Sequence, residues 1–161
     1  MSEPFDPPGE PWVRVSPRLL TLRRLLLIVA GVPAAVVAGV LLGFVTVWLG
    51  IAVGLVVLVG VAWGWRIVGR AVRSWGYAER ADDLLVTRGI LNRQLVVVPY
   101  GRMQYVDVTA GPLDRKFGLS TVQLHTAAAA TDARIPGLVP AEAARLRDRL
   151  AARGEATSAG L

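Results

Sequence analysis

VDVTAGPLDRKFGLSTVQLHT (residues 106–126) contains no nucleophile with a neighbouring base, no metal-ligand cluster and no phosphate loop. It reads as a strand, a Gly111-Pro112 break, one helical turn carrying Arg115 and Lys116, and a second strand. In its second half Val122, Leu124 and Thr126 alternate with Thr121, Gln123 and His125, the period-two pattern of a strand with one buried face. The question is what such a segment does, and the surrounding chain sets the terms.

On either side the texture is the same. SWGYAER, DLLVTRGIL, QLVVVPY, MQYVDVTA and DARIPGL are short β-rich runs, with turns at Asp82-Asp83, Leu91-Asn92-Arg93 and Gly101-Arg102. Closely spaced strands of this kind predict a sandwich or partly open barrel. Ala127–Ala130 reads as a hairpin loop. One helix follows, opened by Pro140 with Glu142 in its first turn. It places Ala143, Leu146 and Leu150 on one face and Arg145, Arg147 and Arg149 mostly outside.

The N-terminal half is different in kind. No charged residue occurs between Arg24 and Arg66. A membrane helix needs about 20 apolar residues to cross a hydrocarbon core of about 30 Å, so this window predicts two helices and a turn near Gly43–Val47. A cleaved signal peptide has an apolar core of about 7–15 residues, and this run continues well past any such site. Ser16-Pro17 is a helix start, and Pro33 is tolerable within a membrane helix. Arg18, Arg23 and Arg24 flank one outer end of the hairpin and Arg66, Arg70 and Arg73 the other, while the short loop carries no charge. The positive-inside rule then puts both termini in the cytoplasm of a bacterial inner membrane. Gly39/Gly43, Gly50/Gly54 and Gly60/Gly64 have GxxxG spacing, read as close packing of the hairpin on itself. The organisation expected is a disordered head over 1–16, a transmembrane hairpin over 17–73, a β-rich domain over 74–153 and a disordered tail over 154–161.

A net charge of +6 in a soluble protein would suggest nucleic acid, but here basic membrane flanks beside anionic headgroups account for it. With no cysteine there is neither a disulfide framework nor thiolate chemistry, and with a single histidine no ordinary zinc site. Ser120, His125 and Asp132 suggest a triad by residue type only. Five positions along a strand separate Ser120 from His125 by about 17 Å, beyond the reach a nucleophile and its base require. Asp82 and Asp83 fit turn chemistry. No intramembrane charge marks an ion or proton path. The reading is a non-enzyme with no cofactor, no metal, no nucleic acid and no small-molecule substrate.

Two membrane helices, a run of strands and one closing helix is an unusual order. It resembles the bacterial pleckstrin-homology-like membrane proteins. Tyr77 with DLLVTRG (83–89) is similar to that family's opening hairpin, and PYGRMQYV (99–106) to its next strand, with Met103 where isoleucine is usual. PLDRKFGL (112–119) resembles its P-L-x-R-x-x-G-L turn and IPGL (135–138) its last strand. The resemblance implies a membrane helical hairpin followed by a mainly β, pleckstrin-homology-like (PH-like) split barrel with one C-terminal helix. It also implies that Leu113 and Phe117 pack against the barrel while Arg115 and Lys116 face outward. Eukaryotic relatives of the fold bind inositol lipids with basic residues around the first hairpin loop, whereas Glu79–Asp83 here is mainly acidic.

Two functions follow from this reading. One is a membrane-tethered module that binds a protein partner, or copies of itself, at the cytoplasmic face. The other is a domain that senses anionic lipid. Arg88, Arg93, Arg102, Arg115, Lys116 and Arg134 are the candidate basic surface for either.

Overall fold

The computed structural model describes residues 11–127 and 132–159. The proposed loop at Ala127–Ala130 falls mostly outside them. By its contacts the chain divides into two compact units, one of Leu20–Arg70 and one of the segment up to Leu19 together with Ala71 onward.

In the first unit, α1 (Pro17–Gly43) and α2 (Val47–Arg73) are joined by the turn at Phe44–Thr46, and both are long and apolar enough to cross a membrane. A Cβ at Gly50 would lie 2.7 Å from the Gly39 carbonyl oxygen and 2.8 Å from Gly43 Cα, so the bare Gly50 lets the helices close at the tip. Gly54 and Gly60 face open space and have no such role. Near the other end, Arg24 lies 4.3 Å over the Trp65 ring, a cation–π contact at the edge of the apolar run.

The second unit holds two antiparallel sheets and no closed barrel. β1 (Val13–Arg14), β2 (Gly76–Glu79), β3 (Asp83–Arg88) and β4 (Gln94–Pro99) form one sheet in that order; β5 (Met103–Thr109), β6 (Ser120–Thr126) and β7 (Ala133–Leu138) form the other. A single 3-10 turn, Tyr100–Arg102, connects the sheets. The five-residue helix α3 (Pro112–Lys116) links β5 to β6, and α4 (Pro140–Ala159) closes the unit. The core joins Tyr77, Leu84, Val86 and Val98 of one sheet, Val122, Leu124 and Ile135 of the other, and Ala143, Leu146 and Leu150 of α4, all buried. The apolar stripe read from the α4 sequence is therefore its core face.

Three expectations need correction. Val13–Arg14 is not a disordered head: it adds a strand to β2, with Val13 opposite Tyr77 and Arg14 opposite Gly76. The anchoring continues through Ser16, whose N–H donates to the Gly137 carbonyl at 2.9 Å, and through buried Leu19. Gly137 has φ +73°, and a Cβ there would come within 2.6 Å of Leu19 Cδ2, so this position requires glycine. Second, residues 154–159 are not a tail but the last turns of α4. Gly154 suggests a helix stop, yet it lies where α4 passes the Tyr100 carbonyl and Met103 side chain (3.8 and 3.6 Å from a Cβ built there). Third, Leu113 does not pack inward. It is 47% exposed, and Phe117, at the C-cap just past α3, is only half-buried. Arg115 and Lys116 are exposed as expected.

Candidate interaction surface

Two tyrosines position α4. The buried Tyr77 hydroxyl donates to Glu142 at 2.9 Å, in the first turn of the helix, where Glu142 also accepts from Arg145. Burial, then the bond to Glu142, drives the Tyr77 phenol far above its usual pKa, while the Arg145 guanidinium holds the Glu142 carboxyl below the usual carboxylate range. Three turns on, Arg153 donates to the Tyr100 hydroxyl at 2.9 Å and lies 5.2 Å over its ring. The Tyr100 hydroxyl in turn donates to the Arg80 carbonyl, 3.0 Å away.

Fixed in this way, α4 runs beside β5. β5 is an outer strand of its sheet and pairs only with β6 among the described residues. A cavity of about 400 Å³ opens between them, lined on the strand side by Met103, Gln104, Tyr105 and Val106 and on the helix side by Arg147, Leu150, Ala151 and Gly154. Tyr105 is 57% exposed, and its ring stacks on His125 at 4.4 Å. His125 Nδ1 lies 3.2 Å from Asp132, which accepts the Thr126 N–H at 2.8 Å. His125 and Asp132 therefore tie the ends of β6 and β7 together and steady Tyr105. The arrangement offers an outer strand edge beside a groove of mixed polarity, with the exposed Tyr105 ring on the His125 face of the strand.

The basic candidates are not gathered in one patch. Arg88 and Arg93 flank the β3–β4 hairpin tip, where Arg88 Nε donates to Gln94 at 3.0 Å. Arg102 precedes β5, and Arg115 and Lys116 follow it, so they sit at opposite ends of a seven-residue strand, roughly 20 Å apart by strand rise. Arg134 lies on β7 opposite Gln123. In the acidic β2–β3 turn Arg80 is held by Asp83 through two 2.7 Å bonds, and its guanidinium is committed there. Of the membrane-flanking arginines, Arg18 lies beside Gly118, Arg24 is on Trp65, and the Arg73 carbonyl accepts from Arg14 at 2.7 Å; Arg23, Arg66 and Arg70 lie on α1 and α2.

The groove residues Tyr105, Met103, Arg147 and Ala151 are absent from the sequence-based candidates. The available signal was Tyr105, an aromatic at a polar-side strand position, but nothing in the sequence indicates that α4 passes that side of β5.

The family model for the bacterial PH domain matches residues 24–154, a span that includes most of both apolar helices and the β domain. UPF0699 transmembrane protein YdbS of Bacillus subtilis is 40% identical over 78 residues, 48% of this chain and 48% of that protein. The chain thus spans about half the length of the curated relative it matches. No solved structure matches the chain.

Proposed function

Because this chain belongs to the bacterial PH domain family, we propose that it is a non-catalytic, membrane-anchored module whose β domain binds an extended segment of a protein partner, or of a second copy, at the cytoplasmic face. The observation that carries this reading is the open edge of β5 beside α4. An added strand would satisfy the outward N–H and C=O groups of β5, and side chains on alternate positions would enter the groove, as in strand-addition recognition. Tyr105 would be the anchor, since exposed tyrosines give large contact area at low entropic cost.

Residues 17–73 act in this reading as the transmembrane hairpin and 74–153 as most of the binding domain. Pairing of Val13–Arg14 with β2 supports one side of the membrane for both flanks, because the strand before α1 bonds to the strand after α2. The basic flanks favour the cytoplasmic side of a bacterial inner membrane.

The test is site-specific photocrosslinking in the intact protein in its native membrane. A crosslinker at Gln104 or Tyr105 is expected to give a discrete adduct that a crosslinker at Asp148 does not. Equal or absent adducts at the two faces would overturn the reading.

A further inference from the structure

The hairpin tip between β3 and β4 is the most exposed apolar feature of the second unit. Leu91 is fully exposed and Ile90 is 38% exposed. The turn is tight and requires glycine: Gly89 has φ +105°, and a Cβ there would lie 2.0 Å from the Asn92 carbonyl oxygen. Ile90 and Leu91 form one adjacent apolar protrusion at the end of the sheet.

Sheet register shows what is near. Gly76 pairs with Thr87, and Glu79 pairs with Leu84. The tip after β3 therefore lies at the same end of the sheet as the start of β2, the chain that has just left α2. The acidic turn Arg80–Asp82 lies at the other end. A cavity of about 320 Å³ is lined jointly by Ala71, Ser74 and Trp75 and by Gly89, Ile90 and Asn92, so the tip borders the segment in which the apolar helix ends.

The chain segments at that end are basic, with Glu142 of α4 the acidic group beside Arg14. The segments 13–18, 71–76 and 88–94 contribute Arg14, Arg18, Arg73, Arg88 and Arg93 and contain no aspartate or glutamate. Trp75 is there too, and Trp12 packs against Gly76, 3.4 Å from a Cβ built on it. Arginine with tryptophan beside the end of an apolar helix is the composition of a headgroup layer. Across the sheet, Asp83 is paired with Arg80 and Glu79 with Arg149, so the far end is mixed in charge.

We infer that the β3–β4 tip is a membrane wedge. Ile90 and Leu91 enter the headgroup–acyl boundary of the bilayer that α1 and α2 cross, and Arg88 and Arg93 lie on anionic lipid phosphates on either side. The partner is the lipid surface itself. Its role is to hold the domain against the membrane with the acidic turn directed away, which fixes how the β5 groove is presented. The wedge is independent of the groove reading, since it uses the other sheet.

The chain has no cysteine, so Leu91→Cys and Asp82→Cys each give one labelling site in the full-length protein. With an environment-sensitive fluorophore attached, the protein is reconstituted into phosphatidylcholine–phosphatidylglycerol vesicles carrying shallow nitroxide lipids. The label at 91 is expected to be blue-shifted and quenched several-fold more by the nitroxide lipids than the label at 82, which aqueous iodide quenches instead. Adding Arg88→Gln and Arg93→Gln is expected to reduce nitroxide quenching at 91. In phosphatidylcholine alone the two arginines should matter less. Equal iodide access at 91 and 82 overturns the inference. So does a label at 91 that is shielded from iodide but untouched by nitroxide lipids, since that pattern means a protein contact. Loss of quenching at 91 with unchanged crosslinking at Tyr105 would separate failure of the wedge from failure of the groove.

Discussion

The Tyr77 hydroxyl donates a 2.9 Å hydrogen bond to Glu142, joining the first strand after α2 to the first turn of α4 across 65 positions of sequence. Tyr77 is fully buried, while Glu142 is partly exposed and shared with Arg145. Tyr77→Phe removes the donor but leaves the ring packing and the Glu142–Arg145 pair intact. A loss of about 1–2 kcal/mol in a urea melt is expected, at the lower end for a bond to a charged group. Tyr77→Ala also deletes a buried aromatic and should cost roughly 3–5 kcal/mol. An unchanged melt for Tyr77→Phe would mean that the hydroxyl contributes nothing.

Anchoring of the N-terminal segment gives a second prediction. A fragment beginning at residue 74 lacks β1 and the buried Val15 and Leu19. A chimera that joins 11–19 to 71–159 through a flexible linker restores them. Burying a Val or Leu side chain contributes roughly 1.5–3 kcal/mol, so the chimera should be more stable than the fragment by about 2–4 kcal/mol after the cost of ordering the segment. Gly137→Ala, strained at φ +73° and in conflict with Leu19, should cost at least about 1–2 kcal/mol in the chimera. Identical melts for fragment and chimera would refute the anchoring role.

The Asp132 carboxyl is held below its usual range, first by the Thr126 backbone N–H and then by the neighbouring His125 ring. A group with a lowered folded-state pKa contributes stability that is present above its unfolded value, about 3.9, and is lost as pH falls through the folded value. Wild-type stability should therefore fall more steeply than that of Asp132→Asn between about pH 5 and pH 3. Parallel pH profiles would show that Asp132 is not linked to folding.

The turn between β5 and β6 behaves differently from a core anchor. Half-buried Phe117 should cost roughly 1–2 kcal/mol on truncation to alanine, below the usual penalty for a fully buried aromatic. Leu113→Ala, Arg115→Ala and Lys116→Ala, all exposed, should each stay within about 0.5 kcal/mol. A penalty above that for Leu113→Ala would show that it is buried in the intact protein.

These contrasts mark how far the sequence could be read. Val122, Leu124 and Thr126 announced the inner face of β6 because strand period is local, and each is buried. Thr121 broke the pattern: it is buried too, because β6 is the central strand of its sheet, between β5 and β7. The charge-free window between Arg24 and Arg66 marked both helices and their turn for a similarly local reason. β1 was invisible: two residues carry no periodicity, and their partner Gly76–Tyr77 follows only after both helices. The extension of α4 was hidden by Gly154, a residue type that commonly ends helices but here lies within one. The groove was hidden because it depends on where a helix passes a strand, which neither segment encodes alone.

That groove gives the last prediction. Ala151 is exposed on the α4 wall facing Met103 and Tyr105, so Ala151→Arg should fill the groove while changing stability by no more than about 0.5 kcal/mol. Tyr105→Ala loses its stack on His125, and a cost of about 0.5–1.5 kcal/mol is expected from that pair. If Tyr105 is the anchor, its truncation should weaken partner binding by about 2 kcal/mol or more, roughly 30-fold in Kd. Crosslinking from Gln104 should then be lost in both variants. Arg134→Gln, on β7 two strands away from β5, should leave it unchanged. Loss of the adduct in Arg134→Gln with retention in Ala151→Arg would place the partner on the β7 edge of the sheet instead.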